Sequence, residues 1–402
     1  MNNFIYKNKC EIIFGDLPES EVASAIKRHG ASKVMLVYGS GSVVKNGLLG
    51  KIKKSLEEQV IDYVEYGGVV ANPLVSHGVE GIRIAREEKV DFVLAVGGGS
   101  VIDEAKFIAV GAIKGQDAWK IYKNFAIDGI DALPMASVLT IPAAGSECST
   151  ASVMRCDKTG IKYSIVSEVI RPKFAFINPR HCMTLPKEQV GYGASDIFAH
   201  LLERYLSPQA NVIFTDKILE GAMKSMLEIA PMVYKVQSGD ISILDGAYKD
   251  GYGVWSEFCL IGTLAHNGWL SLGRDVQDWA THRMENKLLS GIHNIAHGAG
   301  LAILFPAWMK HVSKTKPTKI AQFAREVMGI NGKNDNAVIK KAIVALQEYF
   351  KSMGLANTLG EIEIDYKIVK KDARKIFKSD TILGGYGEIG SRDIQKIIDL
   401  AK

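Results

Sequence analysis

The architecture of this chain can be inferred from one stretch of its sequence, Asp91-Phe92-Val93-Leu94-Ala95-Val96-Gly97-Gly98-Gly99-Ser100. The first six residues form a short apolar run typical of a buried strand, and three glycines then precede a helical pattern that extends to Val110. A backbone without side chains at a helix start lets a phosphate group approach the free N–H groups there. The stretch therefore predicts a strand, a phosphate-binding turn and a helix.

The same arrangement occurs upstream, where the apolar run Lys33 to Tyr38 is followed by Gly39-Ser40-Gly41-Ser42 and another helical pattern. Further short apolar runs lie at 61–66, 136–141 and 174–177. Strands that alternate with helices predict a mostly parallel sheet covered on both faces. Neither glycine turn has the complete dinucleotide-binding fingerprint, so the pattern alone indicates only a nucleotide or phosphate site.

Three local patterns extend this description. Apolar residues on both sides of Lys7-Asn8-Lys9 predict an N-terminal hairpin, and the runs around 157–160 predict a second hairpin with Lys162 at the start of its return strand. Ser100 followed by Asp103 resembles a helix capping box, so Asp103 could either cap the helix or contact a ligand. Small and hydroxyl residues from Thr140 to Glu147 follow a strand and also suit ligand contact.

The pattern becomes helical after Pro186, with long stretches rich in Ala, Met and Leu. We therefore expect an α/β nucleotide-binding domain over residues 1–186 and an all-helical, metal-binding domain over residues 187–402.

The metal prediction comes from Gly191-Tyr192-Gly193-Ala194-Ser195-Asp196-Ile197-Phe198-Ala199-His200. Residues four apart on a helix share a face, so Asp196 and His200 can point at one ion. His282 and His297 lie downstream, and one carboxylate with three imidazoles suits zinc or ferrous iron. Separately, each signal is weak, because such a pair usually lies on a surface and a single histidine usually packs in a core.

Composition limits the possible functions. The chain has 402 residues, of which 47% are hydrophobic and 23% charged, and its net charge is +5. These values are typical of a globular protein and give no argument for nucleic-acid binding. We also expect no membrane span and no signal peptide, and the five widely spaced cysteines favour reduced thiols in a cytoplasmic protein.

Taken together, these motifs resemble the iron-containing (group III) alcohol dehydrogenases, and most closely the branch of butanol dehydrogenases and NADPH-dependent aldehyde reductases. The resemblance extends over nearly the whole chain. Its motifs are 38–42, Asn72-Pro73, 97–103, 140–147, 196–200, 278–282 and 297–303.

The resemblance implies hydride transfer between a nicotinamide and a small primary alcohol or aldehyde. It also implies a homodimer and one divalent metal, Fe(II) or Zn(II), at Asp196, His200, His282 and His297, with no catalytic residue assigned beyond these ligands. The implied contacts with the dinucleotide are Gly39, Ser40, Gly41, Ser42, Asn72, Gly98, Gly99, Ser100, Asp103, Thr140, Ser146 and Lys162. An aspartate replaces Gly39 in relatives that prefer NAD, so we expect NADP(H) to be favoured over NAD(H).

Two positions depart from the family pattern. Asn286 stands where a histidine is usual, which leaves the proton donor unassigned. The spacing from His282 to His297 is one residue longer than usual, so either a local bulge keeps His297 in place or the ligand is displaced and His293 becomes a polar neighbour of the site. We expect no role for His266. The alternatives are a polyol oxidation like that of glycerol dehydrogenase, a dehydroquinate synthase-like elimination, and a nucleotide-binding protein with a degenerate metal site.

Overall fold

The computed structural model describes residues 1–209, 211–244 and 246–402. It divides into two compact units, one formed by Lys7–Thr184 and the other by Met1–Tyr6 together with Leu185–Lys402. The first unit is α/β and the second is mostly helical, so the predicted fold class is confirmed.

The α/β unit consists of alternating strands and helices. Its strands are β1 (Glu11–Phe14), β2 (Lys33–Gly39), β3 (Asp62–Val69), β4 (Phe92–Gly97), β5 (Met135–Leu139), β6 (Ala151–Arg155), β7 (Lys162–Val166) and β8 (Phe174–Ile177). Its helices are α1 (Ser20–Arg28), α2 (Ser42–Lys45), α3 (Leu48–Glu58), α4 (Val75–Glu87), α5 (Gly99–Ala112) and α6 (Ala118–Asn124).

Six of these strands form one parallel sheet in the order β1-β8-β5-β4-β2-β3. Every residue of β4, β5 and β8 is buried, as expected for strands covered by helices on both faces. On one face, side chains of β2, β4, β5 and β8 form a hydrophobic core with residues of α1 and α3. The apolar run at 92–96, which predicted a buried strand, is therefore central to this unit.

The two hairpin predictions have different outcomes. β6 and β7 pair antiparallel, with Arg155 opposite Lys162, which confirms the second hairpin. The N-terminal hairpin is wrong, because β1 instead pairs in parallel with β8, from Glu11 opposite Phe174 onward. The Asn8 side chain accepts a hydrogen bond from the Cys10 backbone N–H at 3.0 Å, and this turn leads directly into β1.

The second unit contains the helices α7 (Lys187–Tyr205), α8 (Ile213–Gln237), α9 (Tyr252–His266), α10 (Ala280–Lys287), α11 (His297–Val312), α12 (Thr318–Glu326), α13 (Asp335–Ser352), α14 (Tyr366–Ile376) and α15 (Ser391–Leu400). It also contains a short antiparallel pair, β9 (Ile382–Leu383) and β10 (Ile389–Gly390), so the expectation of an all-helical domain needs this correction. Within the residues described, no helix is both long and apolar enough to cross a membrane.

Helix α7 is the centre of the second unit. Apart from Tyr192, every residue from Val190 to Tyr205 is buried, and the helix packs against α8, α9 and α11. Two glycines allow this close packing: a Cβ atom at Gly191 would lie 2.7 Å from the Met353 carbonyl oxygen, and one at Gly298 would overlap the Tyr192 carbonyl. The buried residues of α7 are consequently held in position by the helices that pack around them.

Candidate metal centre and nucleotide-binding turns

Helix α7 places Asp196 and His200 on one face, as their spacing predicts. The Nδ1 atom of His200 lies 3.4 Å from Oδ1 of Asp196, and each side chain is only 5% exposed. This pair is therefore deep in the helical unit and is not the surface pair that such spacing usually indicates.

Two further histidines converge on the same carboxylate oxygen. His282, on α10, has its Nε2 atom 3.5 Å from Oδ1 of Asp196, and His297, the first residue of α11, has its Nε2 atom 3.6 Å from that atom. The donor atoms of Asp196, His200 and His282 all lie within 4.8 Å of one another. His297 borders this group and is the most exposed member of the set, with a 25% exposed side chain. The structure thus brings together all four side chains predicted to bind a metal.

The chemistry of this cluster fits a divalent cation. Asp196 Oδ1, His200 Nδ1 and His282 Nε2 are buried atoms without a hydrogen-bond partner in the structure. Buried polar atoms are normally satisfied, so their convergence indicates a ligand. Ligands about 2.1 Å from one tetrahedral ion are separated from each other by about 3.4 Å, close to the distances between Asp196 and the three histidines.

The pKa values of Asp196 and His200 favour the same conclusion, whereas that of His282 favours a protonated ring until a metal displaces the proton. Burial raises the pKa of the Asp196 carboxyl, but the facing histidines outweigh it and leave this pKa below its ordinary value. Burial lowers the pKa of His200 well below its usual range, which favours the neutral imidazole that a metal requires. Against the effect of burial, the carboxylates of Glu203 and Asp196 raise the pKa of His282 to about 10.

Two buried glutamates that we did not predict contact the outer nitrogens of these histidines. Glu203 binds Nδ1 of His282, and Glu285 binds Nδ1 of His297. A signal for Glu203 was present, because it lies seven residues after Asp196, two helical turns along the same face of α7. Glu285 had no comparable signal in the sequence.

Two aromatic rings pack against His200. The ring of His266 meets it edge to face with centroids 4.4 Å apart, and Trp279 contacts His200, His266 and His282 at centroid distances of 5.9, 5.6 and 5.4 Å. The expectation that His266 has no part near the site is therefore corrected: it packs directly on a predicted ligand.

The segment between His282 and His297, where we expected one additional residue, contains a π-helical turn, Leu288–Ile292. A π turn takes up one more residue than an α turn, and the His293 N–H accordingly bonds the Leu288 carbonyl at 3.1 Å. His297 stays beside Asp196, so the bulge interpretation agrees with the structure. The Nε2 atom of His293 lies 3.5 Å from Oδ2 of Asp372 on α14, so its ring faces that carboxylate.

Comparisons with known proteins identify the family of this chain. Residues 10–179 match the model of the iron-containing alcohol dehydrogenases, and residues 191–401 match that of the C-terminal domain of the Fe-containing alcohol dehydrogenase family. The chain belongs to the iron-containing alcohol dehydrogenase family. It is 34% identical to a probable NADH-dependent butanol dehydrogenase of Bacillus subtilis, over 99% of both chains. It is 33% identical to the NADPH-dependent aldehyde reductase YqhD of Escherichia coli, over 91% of this chain and 90% of that protein.

A solved structure of this family has the same fold. The NADH-dependent butanol dehydrogenase A of Thermotoga maritima superposes with a TM-score of 0.91 at 35% identity, covering 100% of this chain and 99% of that one. The likeness therefore extends over both units of the chain.

In the α/β unit, the two glycine turns follow adjacent strands. β2 and β4 pair from Val34 opposite Phe92 to Tyr38 opposite Val96. The strand that follows β2, which is β3, lies on the outer side of β2, and the strand that follows β4, which is β5, lies on the outer side of β4. Ligands of open parallel sheets bind at the carboxyl ends of the strands at such a switch point. Gly39–Ser42 and Gly97–Ser100 both lie there, and Thr140 follows β5 at the same edge.

Close packing requires a glycine at position 98 and leaves little room for a side chain at position 99. A Cβ atom at Gly98 would lie 2.8 Å from Cβ of Ile141, and one at Gly99 would lie 3.1 Å from Cβ of Ala144. Helix α5 begins at Gly99, so Ser100 is inside the helix and the predicted capping box is wrong. The segment after β5 thus lies directly against this turn.

Asp103 and Ser146, both predicted to contact the dinucleotide, bond each other. The Ser146 hydroxyl donates to Asp103 at 2.6 Å, and the Val153 N–H donates to the other carboxylate oxygen at 3.0 Å. The fully buried Lys106 ammonium donates to the Ser146 carbonyl and hydroxyl at 2.7 and 2.8 Å and to the Ala151 carbonyl at 2.7 Å. These bonds hold the segment after β5 in place.

The remaining predicted contacts differ in exposure. Ser40 and Ser42 are exposed at the end of β2, whereas Asn72 is buried after β3 with a left-handed backbone, φ 56°. Lys162 is partly buried at the start of β7, near enough to Asp103 to influence its carboxyl electrostatically. The two serines are consequently the predicted contacts most accessible to a ligand.

Proposed function

We propose that this protein is an NAD(P)H-dependent alcohol dehydrogenase or aldehyde reductase that converts small aldehydes and primary alcohols into one another by hydride transfer. The single observation that carries the proposal is the convergence of His200, His282 and His297 on one oxygen of Asp196, at 3.4 to 3.6 Å, in a family of NAD(P)-linked dehydrogenases.

These four residues would hold one divalent ion, Fe(II) or Zn(II). When bound, the ion supplies Lewis-acid polarisation of a carbonyl oxygen, and the nicotinamide supplies the hydride. The protein contributes a buried ligand set that Glu203 and Glu285 hold in place, and the rings of His266 and Trp279 pack against His200 and His282. Asn286 stands one helical turn after His282, so no imidazole is available there as a proton donor.

For the dinucleotide, we propose that the pyrophosphate binds at Gly98–Ser100 and that Gly39, Ser40 and Ser42 contact the adenine-side ribose. An acidic side chain that would repel a 2′-phosphate is missing at Gly39, and two exposed hydroxyls are nearby, which favours NADP(H). The relatives include both NADH- and NADPH-dependent proteins, so this preference rests on the residues of the turn. We further propose a homodimer in the cytoplasm.

The test is rapid-mixing absorbance of the reduced nicotinamide with butanal, using protein stripped of metal and then reconstituted with Fe(II) or Zn(II). We expect reconstituted protein to oxidise NADPH faster than NADH, and stripped protein to bind nucleotide without oxidising it. If turnover is seen with none of the combinations of metal, nucleotide and aldehyde, the proposed activity is wrong.

A further inference from the structure

The histidines at the proposed metal centre are held by two glutamates that belong to different helices. Glu203 is on α7, two turns after Asp196, and Glu285 is on α10, three residues after His282. Both residues are fully buried, so their charges are placed in the protein interior. A buried carboxylate is costly unless it is fully hydrogen-bonded, which makes its partners informative.

Glu203 connects α7 to the start of α10. Its Oε1 atom accepts hydrogen bonds from the backbone N–H groups of Thr281 and His282 at 2.9 and 3.3 Å, and its Oε2 atom contacts Nδ1 of His282. These N–H groups belong to the first turn of α10, where they lack partners within the helix. Glu203 therefore fixes both the helix that carries His282 and the orientation of the imidazole.

Glu285 has the corresponding role for His297. Its Oε1 atom accepts a hydrogen bond from the Ser290 backbone N–H at 3.1 Å. Its Oε2 atom accepts one from the Ser290 hydroxyl at 2.8 Å and contacts Nδ1 of His297. Ser290 lies within the π-helical turn, so this turn presents two donors to the carboxylate. Gly300 provides the space, since a Cβ atom there would lie 2.6 Å from Oε1 of Glu285.

We propose that Glu203 and Glu285 are positioning residues that hold His282 and His297 as Nδ1–H tautomers, with both Nε2 atoms directed at the metal. An imidazole that donates from Nδ1 to a carboxylate must offer its Nε2 lone pair on the opposite side, which is the side of Asp196 in both cases. A divalent ion bound by Asp196 and three neutral imidazoles keeps a net positive charge. The negative charges of the two glutamates, which lie behind the imidazoles, stabilise it. This inference rests on the proposed ligand set.

The experiment compares Glu203→Gln, Glu285→Gln and the control Glu220→Gln. Glu220 is 2% exposed and lies in the same unit, but it binds Tyr205 and Gln322 and no histidine. Zinc affinity is measured by competition with a chromophoric chelator, and the ligand field by visible absorption of the Co(II)-loaded proteins. Circular dichroism and thermal unfolding of the metal-free proteins report the fold.

We expect Glu203→Gln and Glu285→Gln each to bind zinc about 10- to 100-fold more weakly than the wild type and to shift the Co(II) bands, while Glu220→Gln changes neither. Wild-type affinity and spectra in both variants would overturn the inference, as would an equal loss in Glu220→Gln. If a glutamine variant does not fold, the aspartate variant at the same position decides: its carboxylate is one methylene group shorter and lies farther from Nδ1, so zinc should bind more weakly than in the wild type, and wild-type affinity contradicts the proposal. None of these measurements depends on enzymatic turnover. The proposal about Glu203 and Glu285 can therefore be tested even if the activity assay fails.

Discussion

The backbone of Gly298 packs against the carbonyl group of Tyr192 so closely that any side chain at position 298 would overlap the Tyr192 oxygen. This contact joins the start of α11 to α7 directly beside His297, and Tyr192 lies one helical turn before Asp196. The distance from His297 to Asp196 therefore depends on a glycine.

We expect Gly298→Ala to lower the free energy of unfolding by roughly 1–3 kcal/mol and to weaken metal binding, because α11 must move away from α7. Urea unfolding and zinc titration measure the two effects. The matched control is Gly221→Ala: a Cβ atom at Gly221, in α8, would meet no other atom within 4 Å, so this variant should be neutral or gain about 0.4–1 kcal/mol. Equal behaviour of the two variants would contradict the close-packing argument.

Histidines four residues apart provide a second test. His297 faces Asp196 at 3.6 Å, whereas His293 lies 3.5 Å from Asp372 on α14. We expect His297→Ala to weaken zinc binding by roughly 3 kcal/mol, which corresponds to about a hundredfold, and His293→Ala to leave it unchanged. Isothermal titration calorimetry measures both. Zinc binding lost on removal of His293 and retained without His297 would mean that the ligand assignment is wrong.

The turn after β2 provides a test of cofactor preference. A Cβ atom at Gly39 would have its nearest neighbour, the Val69 carbonyl oxygen, at 3.5 Å, which is an ordinary contact, so Gly39→Asp should fold normally. Its carboxylate would repel a 2′-phosphate, and we expect kcat/KM for NADPH to fall about tenfold or more relative to NADH, equivalent to about 1.4 kcal/mol. Gly39→Ala, which adds volume without charge, is the control. An unchanged NADPH to NADH ratio in Gly39→Asp would place the 2′-phosphate elsewhere.

Lys106 predicts a pH dependence of stability. Burial, opposed by Asp103 and Glu147, lowers the pKa of its ammonium from 10.5 to about 8. Between these values Lys106 keeps its proton in the unfolded chain and loses it in the folded one, so this residue alone should add up to about 3 kcal/mol to the free energy of unfolding as pH rises. A hydrogen bond and burial raise the pKa of Cys148, and burial raises the pKa of Tyr122 and of Tyr349, so these groups contribute in the opposite direction and the Lys106 contribution is read from the difference between two variants. Chemical unfolding at several pH values between these limits measures the slope.

Lys106→Met removes this titration and retains the others, so it should give a smaller slope than the wild type, whatever its absolute stability. Identical slopes would show that Lys106 titrates at its ordinary pKa despite its burial, with its charge satisfied by Ser146, Ser149 and Ala151.

Much of the fold could be predicted because its signals are local. Alternating apolar runs and helical patterns are read over a few residues, and they located the strands of the parallel sheet and the helix that carries Asp196 and His200. The N-terminal hairpin failed because the apolar run of β1 is equally compatible with any available strand edge, and β8, far along the chain, provides that edge.

The sequence by itself determined the α/β and helical organisation, the strand–glycine–helix turns and the i, i+4 relation of Asp196 to His200, since these depend on backbone periodicity alone. Only the tertiary structure decided that Glu203 binds a histidine 79 residues away, that His266 packs on His200, and that a π-helical turn keeps His297 beside Asp196. Such relationships arise when separate helices pack together, and no local pattern of residues records which side chains will then meet.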